Sequence, residues 1–268
     1  MSDPAVAAPW GALRRPGQAA FITYLTAGYP DRETSLAALR AAAGFADILE
    51  VGVPFSDPVA DGPVIQRASF DALGQGMTLR GTLDLIAEAN LDRPVVLFSY
   101  LNPLLRYGFD RLLSDAAEAG VAGLLVTDLP AGADAALESA VRSSDLDLIP
   151  LVAPTTPSRR VAEIDASASA FLYLIGRLGV TGVGTPPSAG LEEMVDRVRG
   201  QARLPLAVGF GIASPTQVHA VANVADGVVV GSALVEALGR GGVGALEALL
   251  ADLGPACIRT VTAGVPVV

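Results

Sequence analysis

The residues best suited to chemistry lie in one run: Ile48-Leu49-Glu50-Val51-Gly52-Val53-Pro54-Phe55-Ser56-Asp57-Pro58-Val59-Ala60-Asp61-Gly62-Pro63. It begins as an apolar strand that carries a carboxylate, Glu50, and continues as a Pro/Gly-rich loop with two more acids. A carboxylate among Ile, Leu and Val is costly unless it is paired or neutral. A desolvated Glu has a raised pKa, which suits proton donation near neutral pH. Asp61, in a loop beside Gly62, stays ionised more easily, so the two carboxyls form a candidate acid/base pair. The plainer alternatives are a salt bridge from Glu50 to an Arg inside the fold and an ordinary Asp-Gly turn at Asp61. Asp57, between Ser56 and Pro58, reads as an Asx-turn acid.

The missing residue types narrow the chemistry. The 268-residue chain has no lysine, so all 18 of its basic residues are Arg. No Schiff base can form on it, with a substrate carbonyl or with pyridoxal phosphate, and a P-loop would lack its lysine. The one histidine, His219, lies in Ser214-Pro215-Thr216-Gln217-Val218-His219, which reads as an exposed helix start. A multi-His metal site is impossible. The one cysteine, Cys257, has no polar neighbours to activate it and rules out a disulfide framework, so a reducing cytoplasm is expected. Proton transfer falls to carboxylates, Tyr or water.

A net charge of -10 makes nucleic acid and anionic membranes poor partners. No apolar run approaches the ~20 residues of a membrane span. The first ten residues contain an Asp and no basic cluster, so they do not read as a signal peptide.

These residues must be held by something, and the pattern around them alternates. Short β-branched runs occur at 20–25, 48–51, 95–98, 123–126, 148–151, 171–174, 206–208 and 227–230. Helical stretches fall at 32–43, 79–89, 109–118, 133–143, 158–165, 190–199, 215–221 and 232–238. Asp31, Thr78, Ser158, Ser214 and Ser232 stand where N-caps belong. Alternating strands and helices imply a parallel sheet, and eight units in about 250 residues match an α/β (β/α)8 TIM barrel. A doubly wound sheet would want a Gly-x-Gly-x-x-Gly turn after the first strand, and Thr26-Ala27-Gly28-Tyr29-Pro30 is not one. With 51% hydrophobic residues and no evident linker, one domain over 1–268 is expected, its barrel core at about 18–255 and 260–268 a loose tail.

A barrel keeps its active residues at the carboxyl ends of its strands. There stand Thr26 and Gly28, Glu50 with Asp57 and Asp61, Tyr100 and Asn102, Asp128, Tyr173 with Arg177, Thr181 and Gly182, Gly209-Phe210-Gly211, and Gly231-Ser232. The Gly turns after strands 7 and 8 lead into helices. Without Cβ atoms they let backbone N–H groups approach an anion at a helix N-terminus, so phosphate binding is expected there despite the acidic balance. Asp128 reads as a loop brace, Arg177 equally as a phosphate clamp or a loop strut, and Tyr173 as core or ligand contact. Ile48 and Glu50 share one strand face and Leu49 and Val51 the other. Both faces of a barrel strand are buried, so either orientation is costly for a charge.

The run from Leu49 to Pro63 resembles the signature of the tryptophan synthase alpha chain family. So, in the same order, do Tyr24-Leu25-Thr26-Ala27-Gly28-Tyr29-Pro30-Asp31, Tyr100-Leu101-Asn102-Pro103, Gly179-Val180-Thr181-Gly182, Gly209-Phe210-Gly211-Ile212 and Gly231-Ser232-Ala233. The resemblance implies a lyase that cleaves indole-3-glycerol phosphate to indole and glyceraldehyde 3-phosphate. By position it makes Glu50 and Asp61 catalytic, and Thr181, Gly182, Gly211, Gly231 and Ser232 phosphate-binding. It lines the indole pocket with Tyr24, Phe98, Tyr173 and Phe210.

The resemblance also implies no cofactor on this chain and a pyridoxal-phosphate-bearing beta chain as partner in an alpha2beta2 tetramer, with Pro54, Asp57 and Asn102 at or near the contact. The chain departs from the family pattern at Gly176, where a Ser is usual, at Leu178, where a small polar residue is usual, and in the loop 182–187. The resemblance expects that loop to close over substrate, so closure and coupling are what the departures touch. The competing readings are a stand-alone lyase paralogue, another phosphate-sugar isomerase or epimerase on the same barrel, and a non-enzymatic activator of a beta chain.

Overall fold

The Val-, Ile- and Leu-rich runs form nine parallel strands: β1 Ala20–Thr26, β2 Ile48–Gly52, β3 Val95–Ser99, β4 Val121–Val126, β5 Asp147–Leu148, β6 Leu151–Val152, β7 Leu172–Ile175, β8 Leu206–Gly209 and β9 Gly227–Val230. They belong to a computed structural model that describes Val6 and residues 17–175, 190–209 and 211–259. The strand order is β5-β4-β3-β2-β1-β9-β8-β7-β6. Its two edges, β5 and β6, are consecutive in the chain and separated by Ile149 and Pro150 alone. The Ile149 N–H donates to the Leu124 carbonyl on β4 at 3.0 Å, and the Pro150 carbonyl accepts from the Tyr173 N–H on β7 at 3.1 Å. The two edges are therefore one position in the ring, and the sheet closes as an eight-position barrel.

The expected fifth strand, 148–151, is thus two short pieces. Pro150 has no N–H for a ladder and fixes its own φ, so the strand breaks there. The fourth strand starts earlier than expected. Val95 pairs with Val121 but Val96 pairs with Gly123, which leaves Ala122 as a bulge.

Ten helices accompany the strands among the described residues: α1 Arg32–Ala43, α2 Pro63–Gly74, α3 Leu79–Ala89, α4 Leu101–Tyr107, α5 Phe109–Glu118, α6 Ala135–Arg142, α7 Ser158–Ser167, α8 Leu191–Arg199, α9 Pro215–Ala222 and α10 Ser232–Leu253. Asp31, Thr78 and Ser214 cap α1, α3 and α9 through side-chain oxygens that accept from the N–H of Thr34, Gly81 and Gln217. Ser158 and Ser232 are not caps. Pro157 and Gly231 hold those positions, and each Ser is the first helical residue. Two helices were not expected, α2 and α4. Helix α2 starts on Pro63, whose preset φ and missing N–H suit a first helical position. Helix α10 runs 15 residues beyond the expected end at 238 and is interrupted at Gly241 and Gly242, where φ is -141° and 65°.

The core has two layers. Leu49, Val51, Leu97, Leu124, Leu174, Val208 and Val230 face outward to the helices. Ala20, Ile22, Ile48, Val96, Leu125, Phe171, Ala207 and Val229 fill the barrel interior. Val6 joins this inner layer and donates its N–H to Asp147 Oδ2 at 3.1 Å. Each fully buried side chain of this kind contributes about 1.5–3 kcal/mol.

Candidate active site

The alternation along β2 decides where Glu50 points. Ile48 lies in the inner layer and Leu49 and Val51 in the outer one, so Glu50 faces the interior, one step above Ile48 toward the carboxyl end. It is 1% exposed, and neither carboxyl oxygen has a hydrogen-bond partner among the described residues. No arginine pairs with it there. Burial alone pushes its pKa from 4.5 up to about 8. A carboxyl in this state is protonated near neutral pH and is equipped to give that proton away.

Asp61 is held differently. The Tyr100 hydroxyl donates to Asp61 Oδ2 at 3.1 Å and accepts the Ala60 N–H at 2.9 Å. From α2, Gln66 Nε2 donates to the carbonyls of Asp61 at 2.9 Å and Pro58 at 3.3 Å. The β2–α2 loop is thereby tied to Tyr100, which follows β3, and to the helix the loop leads into. Burial raises the Asp61 pKa to about 6 against the lowering effect of the Tyr100 hydrogen bond. Asp61 thus ionises below Glu50, so near neutral pH one acid is mainly charged and the other mainly neutral. Burial and the Asp61 charge push Tyr100 up to about 12, which keeps its proton available for donation. Tyr100 stood among the sequence candidates without a role, because only the fold brings it to Asp61.

Aromatic side chains lie across the barrel mouth. The rings of Tyr24 and Phe98 meet edge to face at 5.1 Å and 76°. Tyr24 pairs across strands with Glu50, and Phe98 with Gly52. A Cβ on Gly52 would lie 2.0 Å from the Tyr24 hydroxyl, and one on Gly209 would lie 2.4 Å from the Tyr173 hydroxyl. Each tyrosine is therefore laid over a glycine on another strand, and those glycines cannot be replaced without moving a ring. The Tyr24 and Tyr173 hydroxyls are held far above the ordinary phenol pKa, chiefly by burial. Asp61 and Glu50 add to the shift in both, Asp61 the more strongly at Tyr24 and Glu50 at Tyr173.

Across the mouth, Gly231 sits at the N-cap of α10 with Ser232 as its first helical residue. Gly211, beyond β8, is exposed with φ 64°, backbone that favours glycine. Orphan N–H groups at a helix start and a nearby hydroxyl suit an anion. Gly231 also packs against Tyr24, since a Cβ there would lie 3.3 Å from Tyr24 Cβ. Of the residues expected to bind phosphate or indole, Thr181, Gly182 and Phe210 lie outside the described residues, as does Arg177.

The remaining candidates fall outside the mouth. Pro54 is buried, whereas Asp57 and Asn102 are exposed. The Ser56 hydroxyl donates to Asp57 Oδ2 at 2.5 Å. Asp128 braces its loop by accepting the Leu101 N–H at 2.7 Å. His219 lies on α9 in the helix layer. The buried Cys257 thiol is pushed up to about 12 by burial, which leaves it inert.

The profile of the family described as "Tryptophan synthase alpha chain" matches residues 11–252. A tryptophan synthase alpha chain from Caulobacter sp. (strain K31) is 47% identical over 232 residues, 85% of this chain and 84% of that one. One from Chloroflexus aggregans (strain MD-66 / DSM 9485) is 45% identical over 233 residues, covering 85% and 87%. Among solved structures, an open form of tryptophan synthase from M. tuberculosis superposes with a TM-score of 0.86 at 36% identity, covering 96% of this chain and 99% of that one. Tryptophan synthase subunit alpha from Legionella pneumophila str. Paris gives 0.85 at 32% identity, covering 95% and 98%.

Proposed function

The chain belongs to the tryptophan synthase alpha chain family, and on that premise we propose that it cleaves indole-3-glycerol phosphate by retro-aldol chemistry to indole and glyceraldehyde 3-phosphate. The observation that carries the reaction is Glu50: a carboxyl buried in the barrel mouth, unpartnered among the described residues, with its pKa raised to about 8.

The indole carbon is a poor leaving group until C3 is protonated, and a neutral Glu50 supplies that proton. Asp61, the more easily ionised acid, accepts from the ring N–H and stabilises the positive charge that develops on the ring. Tyr100 holds Asp61 in position for this. The glycerol hydroxyl next to C3 then returns a proton to the Glu50 carboxylate as the C–C bond breaks, and the electron pair of that bond stays with indole. No step needs a lysine, a metal or a cofactor on this chain. Tyr24, Phe98, Tyr173 and Phe210 line the indole side in this reading. Thr181, Gly182, Gly211, Gly231 and Ser232 hold the phosphate through N–H groups and hydroxyls.

The family implies a beta-chain partner. We assign the contact to the surface carrying the exposed Asp57 and Asn102, with the buried Pro54 shaping the loop beneath it, in an alpha2beta2 assembly in the cytoplasm with pyridoxal phosphate on the beta chain. Beside Asp57, Val59 is 84% exposed and Phe70 on α2 is 76% exposed, an apolar surface of the kind that partners cover. No helix among the described residues is long and apolar enough to cross a membrane.

The deciding experiment measures indole release from indole-3-glycerol phosphate by the wild-type chain and by Glu50→Gln, each with and without purified beta chain. Release by the wild type, lost in the variant and increased by the beta chain, supports the reading. Activity surviving in Glu50→Gln removes the role given to that residue.

A further inference from the structure

Two buried polar groups at the barrel mouth are poorly matched, one weakly and one not at all among the described residues, and they are neighbours. Tyr24 on β1 pairs in register with Glu50 on β2. Its hydroxyl crosses to β2 and lies over Gly52, two residues beyond Glu50 on the same strand face. Its one described hydrogen bond is a long contact with Thr26 Oγ1 at 3.5 Å, which leaves the hydroxyl weakly held. Glu50 is the complement: two buried carboxyl oxygens and no described donor. A buried carboxyl left without a donor is costly, and more so once it is charged.

We propose that Tyr24 is a positioning residue whose hydroxyl donates a hydrogen bond to the Glu50 carboxylate once that carboxylate has given up its proton. This deepens the reading of Glu50 as the proton donor and rests on it. A lone carboxylate in an apolar barrel would take its proton straight back. The Tyr24 hydroxyl, which rests over Gly52 and makes no hydrogen bond to Glu50 here, turns onto the ionised form and stabilises it long enough for the C–C bond to break, without itself ionising, since burial keeps Tyr24 protonated. Glycine at position 52 then has a reason: any Cβ there would occupy the place of the hydroxyl.

Among the described residues, the titratable groups that act on this pair are Asp61 from the β2–α2 loop, Tyr100 after β3 and Tyr173 on β7. Asp61 already has a donor in Tyr100, which leaves Glu50 as the unmatched acceptor. Tyr173 is the rival donor, because Glu50 is the strongest charge acting on it.

The test titrates the Glu50 carboxyl directly, by its infrared band in difference spectra against Glu50→Gln, in the full-length wild-type chain and in Tyr24→Phe and Tyr173→Phe. A hydrogen bond to the ionised form lowers the pKa, so Tyr24→Phe is expected to raise it by about one pH unit. In steady-state release of indole, the same variant should lower kcat about ten-fold with KM within about two-fold, and move the alkaline limb of the profile upward. An unchanged Glu50 titration in Tyr24→Phe overturns the proposal. So does a shift seen only in Tyr173→Phe. The titration needs no turnover, so a chain that fails to release indole would defeat the functional reading and leave this result standing on its own.

Discussion

The barrel interior holds two neighbouring layers built on the same strands, and they are opposites. In the lower layer Ile22, Ile48, Val96, Phe171 and Val229 fill the space with hydrocarbon. One step toward the carboxyl ends, β1 and β2 place Tyr24 and Glu50, with Phe98 and Tyr173 alongside on β3 and β7. Tyr24 and Glu50 are buried like the layer below them, and Phe98 and Tyr173 are half-buried, but only the lower layer gains from being dry. Hydrocarbon removed from water stabilises the fold, whereas the Glu50 carboxyl in the same dryness is forced to stay protonated. The stability of the first layer supports the reactivity of the second, as expected where strained or unsatisfied groups persist at functional sites.

The comparison breaks most visibly through Glu50 and Phe171. Glu50→Gln should lower indole release about 10³-fold while leaving the protein at least as stable, read by kinetics and thermal melting together. Phe171→Ala should do the reverse, costing about 3–5 kcal/mol in denaturant unfolding while the folded fraction keeps its kcat. A Phe171→Ala protein that stays folded but inactive would mean that the two layers are not separate in function.

Next in size is Asp61→Asn, expected to cost about 10²-fold in kcat, with Tyr100→Phe about ten-fold, since the latter removes only the group that orients Asp61.

A third prediction concerns pH. Glu50 rises from 4.5 to about 8 on folding and Asp61 from 3.8 to about 6. Between those values the folded state binds more protons at these two groups than the unfolded one, so their contribution to stability is fully present below about pH 4 and is lost as pH rises toward 8. Glu50→Gln should flatten the upper part of that fall. Its melting temperature should therefore exceed that of the wild type near pH 8 and match it near pH 4. Parallel melting curves would show that Glu50 is not buried uncharged.

The smallest effects belong outside the barrel. Asp31→Ala removes the cap of α1 and should cost about 1 kcal/mol with no change in kcat. Arg80→Ala breaks exposed pairs with Asp84 and Asp115 and should leave the melting temperature nearly unchanged.

Much of this contrast is legible in the sequence. The helices at 32–43, 79–89 and 109–118 have the bounds read from sequence: the first two start at side-chain caps, Asp31 and Thr78, and the third lies between Gly108 and Gly120 with its apolar residues on one face. The (β/α)8 order followed from the alternation of runs, and Glu50 stood out because a carboxyl does not belong in a strand of Ile, Leu and Val. Other features were hidden. Helix α2 looked like an extension of the loop, since its Pro63 reads as punctuation as easily as a helix start. The run 148–151 reads as one strand, and its split at Pro150 does not show in the pattern. Ser158 and Ser232 passed for caps because a cap and a first helical residue differ by one place.

The chemical inventory and the fold follow from the order of residues alone. Without lysine, and with a single histidine, carboxylates and tyrosines are the groups left for proton transfer, and eight apolar runs separated by helices close most readily as a barrel. The tertiary structure decided which way Glu50 faces, that Tyr100 reaches Asp61, and that Tyr24 and Tyr173 rest on Gly52 and Gly209. Those facts depend on the stagger of neighbouring strands and on distances between residues far apart in the chain. A local pattern fixes a residue's type and its face, but only the closed ring fixes what stands opposite it.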